Sequence, residues 1–575
     1  MIECVASDAI AKTAPPFVNP AIAVSSIIGA RAPRSVAGLA FSAIAVAALL
    51  VAPIAVVLGS AFGPGQGTWQ HLASTVLGDY VVSTLWLALG VAFGVVSLGV
   101  SSAWVVSTYR FPGQPLFEWA LILPLAVPGY VIAYAYTDFL QFSGPVQGAL
   151  RAITGWRAGE YWFPDIRSLG GAILVFSLVL YPYVYLLARA AFLQQSANLV
   201  EAARLLGRGG WGTFSRVALP LARPAIAAGT SLALMETLAD FGAVSYFGVQ
   251  TFTTGIYRAW MSMGDTTAAA QLSAALLAVV LLILLLERWN RGEARYDDAS
   301  ARSQERLHRL SGLRAVAATL ICAAPPALGF VLPAAILVHR VATEPEPLFT
   351  ERFVSLAANS FTLSGITAAA AVALALLLAY AARLSHWRPV HVANRVAALG
   401  YAMPGAVIAV GILVPVARFD NWLAAWLEVH LGMKVGLIFT GSVLALVYAY
   451  LVRFLAVALQ SVEAGLGRIR PSMEDAARSL GRTPAQVLAR VHAPMMRASL
   501  LTAGLIVFVD VMKELPATFA MRPFNFDTLA VQAYHYASDE RLAQAAAASL
   551  VIVGVSLVPV ILLSRVITKG RETSD

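Results

Sequence analysis

The chain has 575 residues, of which 59% are hydrophobic and only 12% are charged. Soluble domains average roughly a quarter charged residues, so this composition argues against a large soluble protein. The formal net charge of +9 does not require a nucleic-acid partner, because most basic residues fall in connections predicted to lie on the cytoplasmic side of a membrane.

Twelve apolar segments follow one another along the chain, and each is long enough to cross a bilayer as a helix. The segments after the sixth repeat the lengths and gaps of the first six. This pattern predicts an all-α membrane protein in which one six-helix unit is duplicated head to tail as a parallel repeat. The predicted spans are 36–61, 80–108, 116–141, 169–191, 223–248, 267–288, 315–338, 357–383, 394–418, 436–459, 498–521 and 543–565.

The distribution of Lys and Arg predicts the orientation. With the N-terminus inside, the densest basic run, which joins the two halves, also lies inside. The resulting domain prediction is a cytoplasmic tail (1–34), a first six-helix domain (35–288), a cytoplasmic linker (289–314), a second six-helix domain (315–566) and a second cytoplasmic tail (567–575).

Two polar islands, one in each half, share one pattern. Residues 201–220 read EAARLLGRGGWGTFSRVALP, and residues 475–494 read DAARSLGRTPAQVLARVHAP. Each predicts a short helix, a turn at glycine and a second short helix that ends at proline. An amphipathic helix resting on lipid headgroups is the plainer interpretation. Lipid contact would not require the same Gly-to-Pro spacing twice, so the repetition favours docking of a shaped protein partner.

The islands resemble the EAA loop of ABC importer permeases, which docks into a cleft on a cytoplasmic ATPase. The second copy departs only by Asp for Glu. The resemblance covers the chain beyond its N-terminal tail. It implies the type I importer permease fold with N- and C-termini cytoplasmic, a place in the bacterial inner membrane, two copies of a cytoplasmic ABC ATPase, a periplasmic substrate-binding protein and no enzymatic activity of this chain. The implied ATPase-coupling residues are Glu201, Ala202, Ala203, Gly207, Pro220, Asp475, Ala476, Ala477, Gly481 and Pro494.

The energy source is predicted to lie outside this chain. The sequence contains no G-x-x-x-x-G-K-[ST] phosphate-binding loop. The resemblance therefore implies that ATP and Mg²⁺ are used by the partner ATPase and that this chain itself binds no cofactor.

Charged side chains inside membrane segments are expensive and are usually functional. Glu236 and Asp240 lie four residues apart in the fifth segment. Asp510 and Glu514 occupy the matching positions of the eleventh, and Lys513 lies beside them. Glycine or proline follows each acidic pair, so both helices are predicted to be interrupted there. The functional interpretation is a translocation path around the pseudo-two-fold axis, lined by these residues and by Tyr130 and Tyr134.

Other interpretations of the same residues stay open at this stage. The acids could instead bond to neighbouring helices, cap the broken helices or pair with Lys513, and the tyrosines, Tyr136 included, could form an interfacial belt. Carboxylate and phenol oxygens suit a hard cation. Glu236, Asp240, Asp510 and Glu514 are therefore weak candidates for metal ligands.

A narrower resemblance concerns the substrate. The stretches ETLADFGAVSYFGVQTFTTGIYRAWMSMGD and KELPATFAMRPFNFDTLAVQAYHYASDERLAQAA, with PGYVIAYAYTDFL, are similar to the fused two-domain permeases of ferric iron importers. Permeases for thiamine and 2-aminoethylphosphonate share this plan. Ferric iron is thus the first expectation, and these two solutes or another small solute are the alternatives.

A secondary transporter driven by an ion gradient is the chief rival from another class, since such proteins also have about twelve helices and intramembrane acids. Coupling to an ion gradient needs no matched docking loops. The paired islands therefore favour the ATP-driven importer.

Overall fold

The computed structural model describes residues 34–63, 67–157, 159–195, 209–291, 308–344, 348 and 350–572. Most of the predicted N-terminal tail and linker lies outside these residues. The same is true of Glu201, Ala202, Ala203 and Gly207 in the first island.

The described part of the first half is almost entirely helical, because its apolar runs satisfy their backbone hydrogen bonds internally. Its helices are α1 (Arg34–Ala61), α2 (Thr68–Thr75), α3 (Leu77–Thr108), α4 (Gln114–Ala120), α5 (Gly129–Leu140), α6 (Pro145–Thr154), α7 (Leu169–Gln194), α8 (Gly210–Ala239), α9 (Gly242–Tyr246), α10 (Phe252–Tyr257, continued by the π-helical turn Arg258–Ser262) and α11 (Thr266–Arg291). A 3-10 turn, Leu123–Ala126, follows α4.

The second half repeats this order. Its helices are α12 (Gly312–Thr343), α13 (Glu351–Leu384), α14 (Arg388–Ala397), α15 (Gly405–Leu431), α16 (Val443–Gly467), α17 (Pro471–Ser479), α18 (Pro484–Met495), α19 (Arg497–Met512), α20 (Pro516–Met521), α21 (Leu529–Ser538) and α22 (Leu542–Glu572), with a 3-10 turn at Ala398–Ala402. Two short parallel strands, β1 (Tyr109–Arg110) and β2 (His308–Arg309), attach the end of the linker to the end of α3.

The prediction of a polytopic membrane protein is confirmed. Among the described residues, ten helices are long and apolar enough to cross a membrane, or up to twelve if each of two sharply bent pairs is one span. One bent pair, Gln114–Ala126 with Gly129–Thr154, turns by 93° inside the predicted segment 116–141. Pro128, which precedes the second helix of this pair, adopts an extended conformation at the bend.

The prediction that Pro220 ends a helix is wrong. α8 runs through Pro220 without interruption, because the turn before it, Phe214–Ala218, is π-helical. Proline removes one backbone donor and crowds the carbonyl four residues earlier, and a π-helical turn relieves both problems locally. The second half has a π-helical turn at the matching place, Leu488–His492, before Pro494. There the chain does bend, by 80° between α18 and α19.

The two halves interlock through the first helix of each. α1 packs on α13, α14 and α15 of the second half, and α12 packs on α3 and α5 of the first. Tyr448 on α16 donates a hydrogen bond of 2.5 Å to the Leu49 carbonyl on α1, and Tyr136 on α5 donates one of 2.9 Å to the Leu328 carbonyl on α12. Both hydrophobic cores therefore contain helices of both halves.

A close approach at Gly411 allows α1 to reach α15. A Cβ atom at this position would lie 2.5 Å from the Pro53 carbonyl oxygen of α1. We expect Gly411→Val to lower the free energy of unfolding by about 1–3 kcal/mol, because α1 would have to move away. Thermal unfolding of the purified protein measures the effect. Gly365→Val is the matched control, since a Cβ atom added at Gly365 would meet nothing within 4 Å, and an equal loss in both variants would contradict the close approach.

Candidate functional site

Two helix breaks, one in each half, lie at the centre of the structure. α8 ends at Ala239 and α9 begins at Gly242, while α19 ends at Met512 and α20 begins at Pro516. The predicted interruptions are therefore confirmed.

An acidic side chain caps the short helix after each break. Asp240 Oδ1 accepts a 2.8 Å hydrogen bond from the Ala243 amide. Glu514 accepts hydrogen bonds from the Ala517 and Thr518 amides at 2.8 and 3.0 Å. Carboxylates satisfy the otherwise unpaired N–H groups at a helix start, so Asp240 and Glu514 stabilise the breaks.

The other acid of each pair bonds to side chains. Glu236 Oε1 accepts a 2.9 Å hydrogen bond from the Tyr401 hydroxyl, and its Oε2 lies 3.7 Å from Arg453 Nη2. Asp510 Oδ1 lies 2.9 Å from Lys513 Nζ. Arg453 Nη1 is also 3.1 Å from Glu514 Oε1. Charges inside a membrane protein are paired in this way because an isolated charge would be costly.

These groups surround a cavity of about 110 Å³ between the halves. A water molecule takes about 30 Å³ in the liquid, so the cavity is large enough for a few waters or an ion rather than a drug-sized molecule. Its lining residues are Leu125, Val127, Pro128, Gly129, Tyr130, Val179, Leu180, Tyr183, Glu236, Ala239, Asp240, Tyr401, Arg453, Phe454, Asp510, Lys513, Glu514, Leu515 and Pro516.

The acidic residues of the cavity occur at equivalent positions in both halves, but its two cationic residues do not. Glu236 and Asp240 correspond to Asp510 and Glu514, 274 residues later. At the same offset Arg453 corresponds to Val179, and Lys513 corresponds to Ala239. With four carboxylates against two cationic side chains, the cavity lining has an excess of negative formal charge.

Aromatic side chains from both halves pack beside the two breaks. The Phe241 ring lies 4.0 Å from that of Tyr257, 5.5 Å from that of Phe519 and 5.8 Å from that of Tyr534, measured between centroids. Tyr257 also donates a hydrogen bond to the Pro516 carbonyl across the halves. These aromatic side chains therefore pack the two halves against each other beside the cavity.

The second island forms the predicted helix–turn–helix. α17 and α18 are joined at Gly481, whose φ of +77° favours glycine. Thr483 and Gln486 form a capping box at the start of α18, with Pro484 at its first position. Asp475 and Ala476 are exposed and Ala477 is buried.

The same island is tied to α13. Arg383 Nε lies 3.0 Å from Glu474 Oε2, and Tyr380 donates a 2.9 Å hydrogen bond to the Pro484 carbonyl. The side chain of Leu480, next to the turn, is 82% exposed although it is apolar. The second island is therefore held against α13 and exposes an apolar side chain at its turn.

The family described as the inner membrane component of binding-protein-dependent transport systems matches residues 95–292. A relative matches nearly the whole chain. The Fe(3+)-transport system permease protein FbpB 2 of Haemophilus influenzae is 27% identical over 496 residues, which cover 85% of this chain and 90% of the relative. Residues 95–292 thus match the inner membrane component of these importers, and the chain as a whole is a transporter permease similar to theirs.

Shorter relatives match a single half of this permease. The molybdenum transport system permease protein ModB of Escherichia coli is 29% identical over 229 residues, 38% of this chain and 92% of the relative. The putative 2-aminoethylphosphonate transport system permease protein PhnU of Salmonella choleraesuis is 28% identical over 213 residues, 36% of this chain and 74% of the relative. The permease is thus an integral inner membrane protein and a transporter subunit rather than an enzyme.

The structure brings the predicted path residues of the permease together. Six of them line the cavity: Tyr130, Glu236, Asp240, Asp510, Lys513 and Glu514. Tyr134 is buried behind them, with its ring centroid 5.7 Å from that of Tyr130 and 4.9 Å from that of Tyr246. The alternative of an interfacial aromatic belt is wrong for Tyr130, Tyr134 and Tyr136, which are at most 4% exposed.

Asp138, noted with the tyrosine run, serves a different purpose. Its carboxylate accepts two hydrogen bonds from Arg340 of α12, at 2.5 and 2.6 Å, and does not line the cavity. It joins α5 to the first helix of the other half.

Sequence reasoning missed Arg453, Tyr401 and Tyr183, which also line the cavity. Arg453 had a usable signal, because a charged residue within an apolar segment follows the same rule as the four acids. The tyrosines had none, since their role depends on which helices meet.

The four weak metal-ligand candidates are all bonded to other groups of the chain. In the part of the chain that the structure describes, no group of three or more His, Cys, Asp or Glu side chains is placed to hold a metal ion. Asp240 and Glu514 are engaged as helix caps and Glu236 and Asp510 in side-chain pairs, so all four carboxylates have partners within the chain.

Proposed function

We propose that this permease is the membrane subunit of an importer for ferric iron. The likeness to the Fe(3+)-transport permease carries the proposal, because it extends over both halves and 85% of this chain. The excess of carboxylates in the cavity is compatible with a hard cation, since oxygen ligands suit such ions. The relatives named for molybdenum and 2-aminoethylphosphonate cover little more than a third of the chain and favour those substrates less.

The partners follow from the same proposal. A periplasmic binding protein delivers the substrate to the outer face, and two copies of a cytoplasmic ATPase dock on the two islands and hydrolyse ATP with Mg²⁺. The N- and C-termini and both islands lie on the cytoplasmic side. This chain binds no cofactor of its own.

A continuous path of helices connects the second docking island to the cavity. α18 passes into α19 through an 80° bend, and Asp510 near the end of α19 lines the cavity. Arg383 and Tyr380 also fasten the island to α13. A displacement of the island by an ATPase is therefore transmitted to the acids at the helix break.

Substrate uptake tests the ferric iron proposal. Cells that contain this chain with its partners are expected to accumulate radioactive ferric iron, and cells from which only this chain is deleted are not. Radioactive thiamine is the comparison. Uptake of thiamine without uptake of iron would overturn the assignment of substrate but not the importer architecture.

The stoichiometry of the purified complex tests the docking proposal. We expect two ATPase copies for each permease chain, because the islands have matched sequence spacing. Mass measurement of the intact complex gives the ratio. A single copy would contradict equivalent islands. Uptake driven by a proton gradient in vesicles without any ATPase would favour a secondary transporter instead.

A further inference from the structure

A buried guanidinium lines the cavity and joins the two halves. Arg453 of α16 contacts Glu514 of its own half at 3.1 Å and Glu236 of the first half at 3.7 Å. The Arg453 side chain is 10% exposed. A positive charge thus sits between one carboxylate from each half.

The first half has no residue equivalent to Arg453 in charge. The corresponding position of the first half is Val179, on α7, although the acids on both sides are duplicated. Without Arg453, Lys513 alone would balance four carboxylates that line one cavity. Uncompensated charge in such a place is strongly unfavourable, so these acids need a second cation beside them.

The two carboxylates that contact Arg453 differ in exposure and in their other hydrogen bonds. The Glu514 side chain is 1% exposed and is held by two backbone amides as well. The Glu236 side chain is 28% exposed and makes the longer contact. The Glu236 side is therefore the accessible and weaker part of the pair.

Lys513 has a different arrangement. Its ammonium group pairs with Asp510 three residues earlier in the same segment. It neutralises a local acid, whereas Arg453 connects the halves.

We propose that Glu236 and Glu514 form a cation-binding site and that Arg453 is a tethered cation that fills the site until a cationic cargo displaces it. The proposal rests on the proposed import function, because the cargo must pass this cavity. Displacement removes the Arg453 contact of Glu236 and leaves its hydrogen bond from Tyr401, so entry of a cation weakens one of the two contacts between Glu236 and the second half. An anionic or neutral cargo would gain nothing from the exchange.

Chemical rescue tests the site without any assumption about the natural cargo. We expect Arg453→Ala to lower the thermal unfolding midpoint of the purified, detergent-solubilised chain by at least about 3 °C, since it leaves buried carboxylates unpaired. Methylguanidinium chloride at millimolar concentration should raise the midpoint of this variant and leave that of the wild type unchanged. Sodium chloride at equal ionic strength is the control.

The double variant R453A/E236Q separates a binding site from a general packing role. Removing the Glu236 charge should restore part of the lost stability and abolish the response to methylguanidinium. Arg453→Lys should keep a cation in place and show no response. The proposal is overturned if methylguanidinium has no effect on R453A, or if it stabilises R453A and R453A/E236Q equally.

A hard trivalent probe tests the exchange with cargo. Lanthanum(III) chloride, which supplies a hard trivalent cation without an anionic chelator, should stabilise R453A at a concentration at least tenfold lower than it needs for the wild type, because the competing guanidinium is gone. If both proteins needed the same concentration of the probe, Arg453 would not compete with the probe for the site. Failure of ferric iron uptake by the wild type would reject the proposed substrate while leaving the rescue result intact.

Discussion

Valine in place of both Gly207 and Gly481 is expected to abolish transport while the protein still inserts into the membrane. Gly481 has a φ of +77°, which a β-branched residue adopts only at a cost of about 1–3 kcal/mol. That cost reduces the population of the turn in the second island roughly 5- to 150-fold. Gly207 holds the matching place of the first island, outside the described residues. Radioactive substrate uptake, corrected for the amount of permease in the membrane, measures the effect.

Gly432→Val provides the matched control for this double variant. Gly432 also has a positive φ, +65°, and no atom lies within 4 Å of a Cβ placed there. It follows α15 and belongs to neither island, so its replacement brings similar backbone strain without changing a docking loop. The G207V/G481V double variant should lose both uptake and binding to the ATPase, whereas Gly432→Val should keep both. Normal transport by the G207V/G481V double variant would defeat the docking argument.

Alanine at both Glu236 and Asp510 is expected to reduce uptake at least about a hundredfold. The change removes one acid from each half of the cavity and leaves Arg453 and Lys513 with fewer partners. Breaking a buried pair costs about 3–5 kcal/mol, so a loss of this size is expected whenever the charges act during transport. Initial rates of uptake and the amount of folded permease must be measured together, because part of the cost falls on stability.

Two further variants separate transport from stability at this site. Asp138→Ala also breaks an ion pair, between the buried Asp138 and the partly exposed Arg340, but this pair lies outside the cavity. Uptake by D138A should therefore stay close to normal per folded molecule. Glu236→Gln keeps an oxygen that can accept the Tyr401 hydrogen bond and removes only the charge, and it should retain stability while losing uptake. Unchanged uptake in the E236A/D510A variant would show that the acids serve only as structural partners.

The sequence predicted the architecture well, for reasons that particular residues illustrate. Apolar runs such as 36–61 and 169–191 reappear as α1 and α7, because a helix in lipid depends on local hydropathy. The repeat offset of 274 residues predicts that Glu236 and Asp510 occupy equivalent positions of the two halves, and both line one cavity. Gly481 was recognised from its place between two helical patterns, and its φ confirms the turn.

The sequence predictions failed where contacts between distant segments override local sequence preferences. Pro220 should end a helix by its local chemistry, but α8 continues because a π-helical turn absorbs the missing hydrogen bond. Tyr130, Tyr134 and Tyr136 were compatible with a membrane interface, and their burial depends on how α5 lies among other helices. Arg453 was overlooked because its partners come from residues far away in the chain.

The sequence by itself determined the helical membrane fold, the duplication, the two matched polar islands and the identity of the central acids. Each of these depends on hydropathy, spacing or residue type, which a linear chain displays directly. Only the tertiary structure decided that the first helix of each half packs on the other half, that two acids cap helix breaks, and that Arg453 bridges Glu236 and Glu514. These arrangements depend on side-chain distances between segments far apart in the chain, which no local pattern encodes.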